Sequence, residues 1–204
     1  MLFVLLALMG CPPPPPVGTT VTVANRSGVD TNVYLAFGAD SAITTSDFVS
    51  FCSGSGLNCS FPLAKGSEQV LPLHGKYLNA TISFFQPVAC DTTKAEINVN
   101  NPKWYDVADI SLVDGFNAPI RMQFAGQIIE AKRPTGNETA YGVYPFACDI
   151  CTERQNPPCD YTTGTDGCKA GTQYDPEVPC QAQGSVMGGG QNAVVVELFD
   201  VEPV

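Results

Sequence analysis

The chain has 204 residues, 44% of them hydrophobic and 15% charged. That is enough for one domain with a proper core, too apolar for a disordered chain and too short to expect two domains. The net charge is −10 and the ten basic residues are scattered, which argues against nucleic acid, because phosphate contacts need concentrated positive charge, and suits a neutral or cationic partner.

The chain opens MLFVLLALMGC. Residues 1–10 read as a signal peptide, an apolar run too short to span a bilayer but in the place of a secretory h-region. Leu8-Met9-Gly10-Cys11 resembles a bacterial lipobox, although no Lys or Arg precedes the run. On that reading Cys11 carries lipid, which is the only tie to a membrane, and the proline-rich residues 11–18 form a stiff spacer. An ordinary signal peptide followed by a coincidental cysteine is the other reading. Both make this an exported protein, extracellular or anchored as a lipoprotein, with its domain over residues 19–204.

Within that domain, Thr19–Ala24 alternates with period two and reads as a strand, as does Asn32–Phe37 after the turn-rich Asn25–Asp30. The two are expected to pair as a hairpin. Residues 40–67 read as a long Ser-, Gly- and Asp-rich loop clasped by Cys52 and Cys59. Glu68–Leu73 and Tyr77–Phe85 are further strands around a turn at His74-Gly75. The only histidine thereby goes to a turn, which leaves little room for a Ser/His/Asp arrangement. Lys94–Val99 alternates again, with Ala95, Ile97 and Val99 inward and Glu96 and Asn98 on the opposite face. Residues 104–122 hold two or three short strands broken at Asp114-Gly115, residues 132–192 look irregular, and Ala193–Phe199 closes the chain as a buried strand. Many short strands punctuated by turns indicate an all-β sandwich or flattened barrel.

Nine cysteines are present. Setting Cys11 aside leaves Cys52, Cys59, Cys90, Cys148, Cys151, Cys159, Cys168 and Cys180, an even set that reads as disulfides in an exported chain. Cys52–Cys59 fits a local clasp, and Cys90 then crosses to the C-terminal group. A zinc site on Cys148 and Cys151 is the weaker alternative, since the other spacings are irregular and His74 is far away in sequence; no metal and no cofactor are expected. Asn25, Asn58, Asn79 and Asn137 head glycosylation sequons, which matter only in a eukaryotic host.

The acids concentrate in the middle of the chain: Glu96, Asp106, Asp109 and Asp114. Positions five apart on a straight strand face opposite ways, so Asp109 and Asp114 converge only if the chain bends between them. Asp114 beside Gly115 also serves simply as a turn opener. The stretch DISLVDGFNAPIRM, with Glu96 in KAEINV thirteen residues before Asp109, resembles the central signature of the thaumatin-like protein family. The opening TVTVANRSG and closing VVVELF resemble that family's first and last strands.

The resemblance implies a thaumatin-like flattened β-sandwich with a disulfide-rich loop region and a cleft between them. In many members the cleft is acidic, lined by an arginine, a glutamate and aspartates. Glu96, Asp109 and Asp114 match. The arginine does not, since Thr81 stands at its position, and the last aspartate falls in a segment without alignment, where Asp149 or Asp175 are candidates. Asp106 has the wrong spacing for the motif. The bridge between first and last strands is missing, with Asn25–Ser27 near one expected site and Leu198–Asp200 near the other. The chain thus resembles a compact, divergent, bacterial member.

Three functions follow as expectations. In the first, a monomeric protein holds a neutral polysaccharide, β-1,3-glucan or another cell-wall glycan, through carboxylates and through Trp104, Tyr105 or Phe116 stacked on sugar faces. In the second, Glu96 with Asp109 or Asp114 hydrolyses β-1,3-glucan weakly. In the third, a surface lipoprotein binds a protein partner with no cleft chemistry.

Overall fold

A computed structural model describes residues 18–88, 92–113, 115–133, 141–144, 182–190 and 193–199. The first half of the chain supplies β1 (Thr20–Asn25), β2 (Thr31–Phe37), a 3-10 turn at Thr45–Phe48, β3 (Ser53–Ser55), β4 (Asn58–Leu63), β5 (Glu68–Leu71) and β6 (Leu78–Phe84). The second half supplies β7 (Lys94–Val99), β8 (Tyr105–Ser111), β9 (Ile120–Phe124), β10 (Gln127–Ala131), β11 (Val143–Tyr144), β12 (Ala182–Met187) and β13 (Ala193–Leu198). Five strands form one sheet in the order β10-β9-β13-β1-β5. The others form an eight-stranded sheet in the order β11-β8-β7-β6-β2-β4-β3, with β12 sharing the free edge of β8.

Period-two alternation builds the core. Val21 and Val23, Leu35 and Phe37, Ile97 and Val99, and Val194 and Val196 come from both sheets and meet in one buried cluster. The inward set expected for Lys94–Val99 is the one found, and the closing strand β13 runs parallel to β1 at the centre of the five-stranded sheet. The result is all-β, a flattened sandwich, as the thaumatin-like resemblance implies. Cys90, Cys148, Cys151, Cys159, Cys168 and Cys180, expected in a disulfide-rich region, lie outside the described residues, as do Cys11 and Asn137. The Cys52–Cys59 disulfide is formed, its Cα atoms 5.7 Å apart. His74, at φ 50°, and Gly75, at φ 74°, make the expected turn.

Three expectations need correction. First, β1 and β2 are not a hairpin: β1 pairs with β5 and β13, β2 with β4 and β6. Asn25–Asp30 is a corner between the sheets. Its hub is Asn25, fully buried, whose Nδ2 donates to the carbonyls of Val29 at 2.8 Å and Leu63 at 3.0 Å while Oδ1 accepts from Ser27. A turn-rich stretch reads the same whether the next strand returns beside the first or crosses the core. The burial also removes Asn25 as a glycan acceptor.

Second, residues 40–67 are not simply a loop, since they contain the 3-10 turn, β3 and β4. Cys59, Phe61 and Leu63 alternate inward along β4. Pro62 masks this pattern, yet β3 pairs only as far as Ser60, so Pro62 lies where the strand has become a sheet edge and a missing N–H is tolerated. Third, the stretch 132–192 contains the short strands β11 and β12.

Asp106 belongs to the fold and not to a site. It lies on β8, fully buried, accepting hydrogen bonds from the Thr19 hydroxyl and from the Asn100 N–H at 2.7 Å. Asn100 in turn clamps Thr19, its Oδ1 accepting from the Thr19 N–H at 2.6 Å and its Nδ2 donating to the Thr19 carbonyl at 2.9 Å. The start of β1 is thereby fastened to the β7–β8 connection. The positions expected for the missing bridge do meet: Asn25 pairs with Leu198, Arg26 N–H donates to the Leu198 carbonyl at 2.8 Å, and Arg26 stands 3.7 Å from Glu197.

Candidate functional site

The outward face of β6, β7 and β8 is polar because alternation leaves Asn79 and Thr81, then Lys94, Glu96 and Asn98, and then Asp109 on the side away from the core. Strand register aligns three of them in one row, with Thr81 opposite Glu96 and Glu96 opposite Asp109. Directly paired side chains in antiparallel strands are within contact of each other. Glu96 and Asp109 thus stand side by side, two carboxyls on neighbouring strands. Burial pushes the Glu96 carboxyl above its ordinary value of 4.5, against the pull of Lys94 and of the Asp109 hydrogen bond. Asp109 is 4% exposed.

A cation stands on the same strand face as Glu96. Lys94 precedes Glu96 by two residues on β7, so both lie on one face. Burial lowers the Lys94 ammonium and Glu96 raises it. Thr81 stands opposite Glu96 and carries no charge.

Glu96 and Asp109 line a cleft of about 340 Å³ together with Asn79, Asn98, Trp104 and Tyr144, while Lys94 and Thr81 lie outside its lining. Trp104, 46% exposed, forms the rim, with its ring edge-on to Tyr105 at 6.1 Å. Tyr144 reaches the cleft because β11 pairs in parallel with the end of β8, Tyr144 opposite Ser111. Burial, and then the charges of Asp109 and Glu96, push its phenol up. Of the aromatic candidates, Trp104 lines the cleft and Tyr105 packs beside it. Phe116 does not belong: it packs against the core beneath Arg133, whose guanidinium carbon is 5.9 Å from the ring centroid. Asp114 lies outside the described residues. No group of three or more His, Cys, Asp or Glu arranged to hold a metal occurs among the described residues.

Sequence reasoning placed none of Lys94, Asn79, Asn98 and Tyr144 at the site. The first was open to discovery, since the same alternation that put Glu96 outward puts Lys94 beside it. Asn98 was outward by the same pattern but had no distinguishing chemistry. Tyr144 carried no signal, because its place depends on a two-residue strand pairing with residues more than thirty positions earlier.

No family model and no curated protein matches the chain. Among solved structures it is similar to the thaumatin-like xylanase inhibitor TLXI, with 13% identity, a TM-score of 0.46, and coverage of 87% of this chain and 97% of that one. It is also similar to the protein elicitor MoHrip2 from Magnaporthe oryzae, with 11% identity, a TM-score of 0.43, and coverage of 88% and 98%.

Proposed function

We propose that this is an exported thaumatin-like protein whose acidic cleft binds a neutral polysaccharide, β-1,3-glucan or another cell-wall glycan, with lipid on Cys11 as its anchor. The observation that carries the reading is the row Thr81, Glu96, Asp109 on one open sheet face, with the exposed Trp104 at the rim. Carboxyl and amide oxygens accept from sugar hydroxyls, and an indole face covers the apolar side of a pyranose ring. The acidic surface repels anionic polymers and leaves neutral ones unaffected. The protein acts as a monomer and its disulfides suit an oxidising compartment.

Hydrolysis is the second reading, favoured by the upward shift of Glu96, which keeps a proton available for a leaving group. Against it, no arginine accompanies the acids, since the uncharged Thr81 stands opposite Glu96. A hydrolase would pair Glu96 with Asp109 or Asp114.

The test is sedimentation of the full chain with insoluble β-1,3-glucan, alongside reducing-sugar release by the wild type and Glu96→Gln. Saturable binding that soluble glucan fragments compete off, without sugar release, is expected. Release that Glu96→Gln abolishes would replace binding by hydrolysis. Neither binding nor release on glucan or on a panel of cell-wall glycans would sink both and leave a protein partner.

A further inference from the structure

Beside the cleft, at the surface, runs a hydrogen-bond relay. Asp40, just past the end of β2, accepts from the Tyr77 hydroxyl at 2.9 Å and from Asn79 Nδ2 at 2.8 Å. These two bonds hold its carboxyl below the ordinary range, so it is an acceptor only. Tyr77 has one proton and gives it to Asp40. Its oxygen therefore accepts from Asn98, whose Nδ2 donates at 2.9 Å. This fixes the Asn98 amide with nitrogen toward Tyr77 and oxygen away. Flipping the amide would set its oxygen against a phenol with no proton left to give.

The consequence is an orphan. Asn98 Oδ1 is buried and has no hydrogen-bond partner among the described residues, whereas buried polar atoms are nearly always satisfied. Asn98 lines the cleft and lies two residues along β7 from Glu96, on the same face.

We infer that Asn98 determines the specificity of the cleft, its Oδ1 accepting a hydrogen bond from one hydroxyl of the bound sugar, with Tyr77 and Asp40 as the positioning residues that aim it. The inference rests on the polysaccharide reading and deepens it. A site with a buried, pre-oriented acceptor discriminates strongly against a ligand lacking the matching donor, because that ligand leaves the acceptor unpaired. The relay also explains why Asn79 and Asn98, directly opposed across β6 and β7, each direct an amide nitrogen into the Asp40–Tyr77 pair.

The experiment uses the full chain with laminaritriose and its monodeoxy analogues, read by calorimetry, with wild type, Asn98→Ala, Tyr77→Phe and Glu96→Gln, each checked for an unchanged far-ultraviolet spectrum. Asn98→Ala should weaken laminaritriose by about tenfold or more, the size expected when a buried hydrogen bond is lost. One analogue should bind the wild type equally weakly and bind wild type and Asn98→Ala alike. Tyr77→Phe, which leaves the amide in place but unaimed, should lose less against laminaritriose and nothing against that same analogue. If Asn98→Ala weakens every analogue by the same factor, or weakens none, the inference fails. If Glu96→Gln weakens binding and Asn98→Ala does not, the inference fails and the polysaccharide reading stands. If the wild type binds neither laminaritriose nor longer glucan or cell-wall oligosaccharides, both fail. Calcium ion alone, titrated into the wild type, should give no heat that Asn98→Ala removes; if it does, the acceptor belongs to a cation.

Discussion

Asp106 and Asp109 lie three apart on β8, on opposite faces, and substituting them should have opposite consequences. In Asp106→Ala the Asn100 N–H, which donates to Asp106 at 2.7 Å, loses its partner inside the protein. An orphaned buried donor costs about 1–3 kcal/mol. The Thr19 hydroxyl loses its acceptor too, and since a hydroxyl can rotate, about 1 kcal/mol covers that loss. The sum is about 3 kcal/mol. A domain of this size moves by about 2–4 °C per kcal/mol, so the midpoint should fall by about 6–12 °C. Asp106→Asn keeps a carbonyl for the Asn100 N–H and lets the Thr19 hydroxyl reverse its role, so about a third of that loss is expected. Thermal unfolding followed by circular dichroism measures all three proteins. A shift within about 2 °C for Asp106→Ala would refute the clamp, as would Asp106→Asn proving as damaging as alanine. Asp109→Asn should change ligand binding with only a small effect on melting.

Glu96→Gln should stabilise the protein at neutral pH. Burial raises the folded Glu96 carboxyl above its ordinary 4.5, so above that pH the unfolded chain has shed a proton that the folded chain keeps. Stability therefore falls as pH rises from about 4.5 to the folded value. Urea unfolding of wild type and variant should coincide near pH 3 and diverge upward through this window; equal curves at every pH would remove the claim. Replacing both Cys52 and Cys59 by alanine opens a loop of sequence separation 7, for which loop-closure entropy predicts about 2.4 kcal/mol; an unchanged urea midpoint would contradict it. Trp104 is the only tryptophan, so intrinsic fluorescence should respond to saturating glucan fragments. Trp104→Ala should weaken binding several-fold while its 46% exposure keeps the melting change small; a stability loss with intact affinity would make the ring structural.

The sequence by itself determined the fold class, most strand positions and the face on which Glu96 sits, because period-two alternation is a local property that the pleat converts directly into inside and outside. It also separated Asp106 from Asp109, through motif spacing, and placed the Cys52–Cys59 clasp. Tertiary structure decided everything that depends on which strands become neighbours. The corner at Asn25 sends β1 and β2 into different sheets, which turn composition cannot reveal. The register of β6, β7 and β8 puts Thr81, Glu96 and Asp109 in one row, and a one-residue slip would have turned each to the other face. Tyr144 arrives in the cleft from a distant short strand. Asn98 acquires a role only because Asp40 and Tyr77, far apart in sequence, meet beside it and orient an amide whose composition carries no signal.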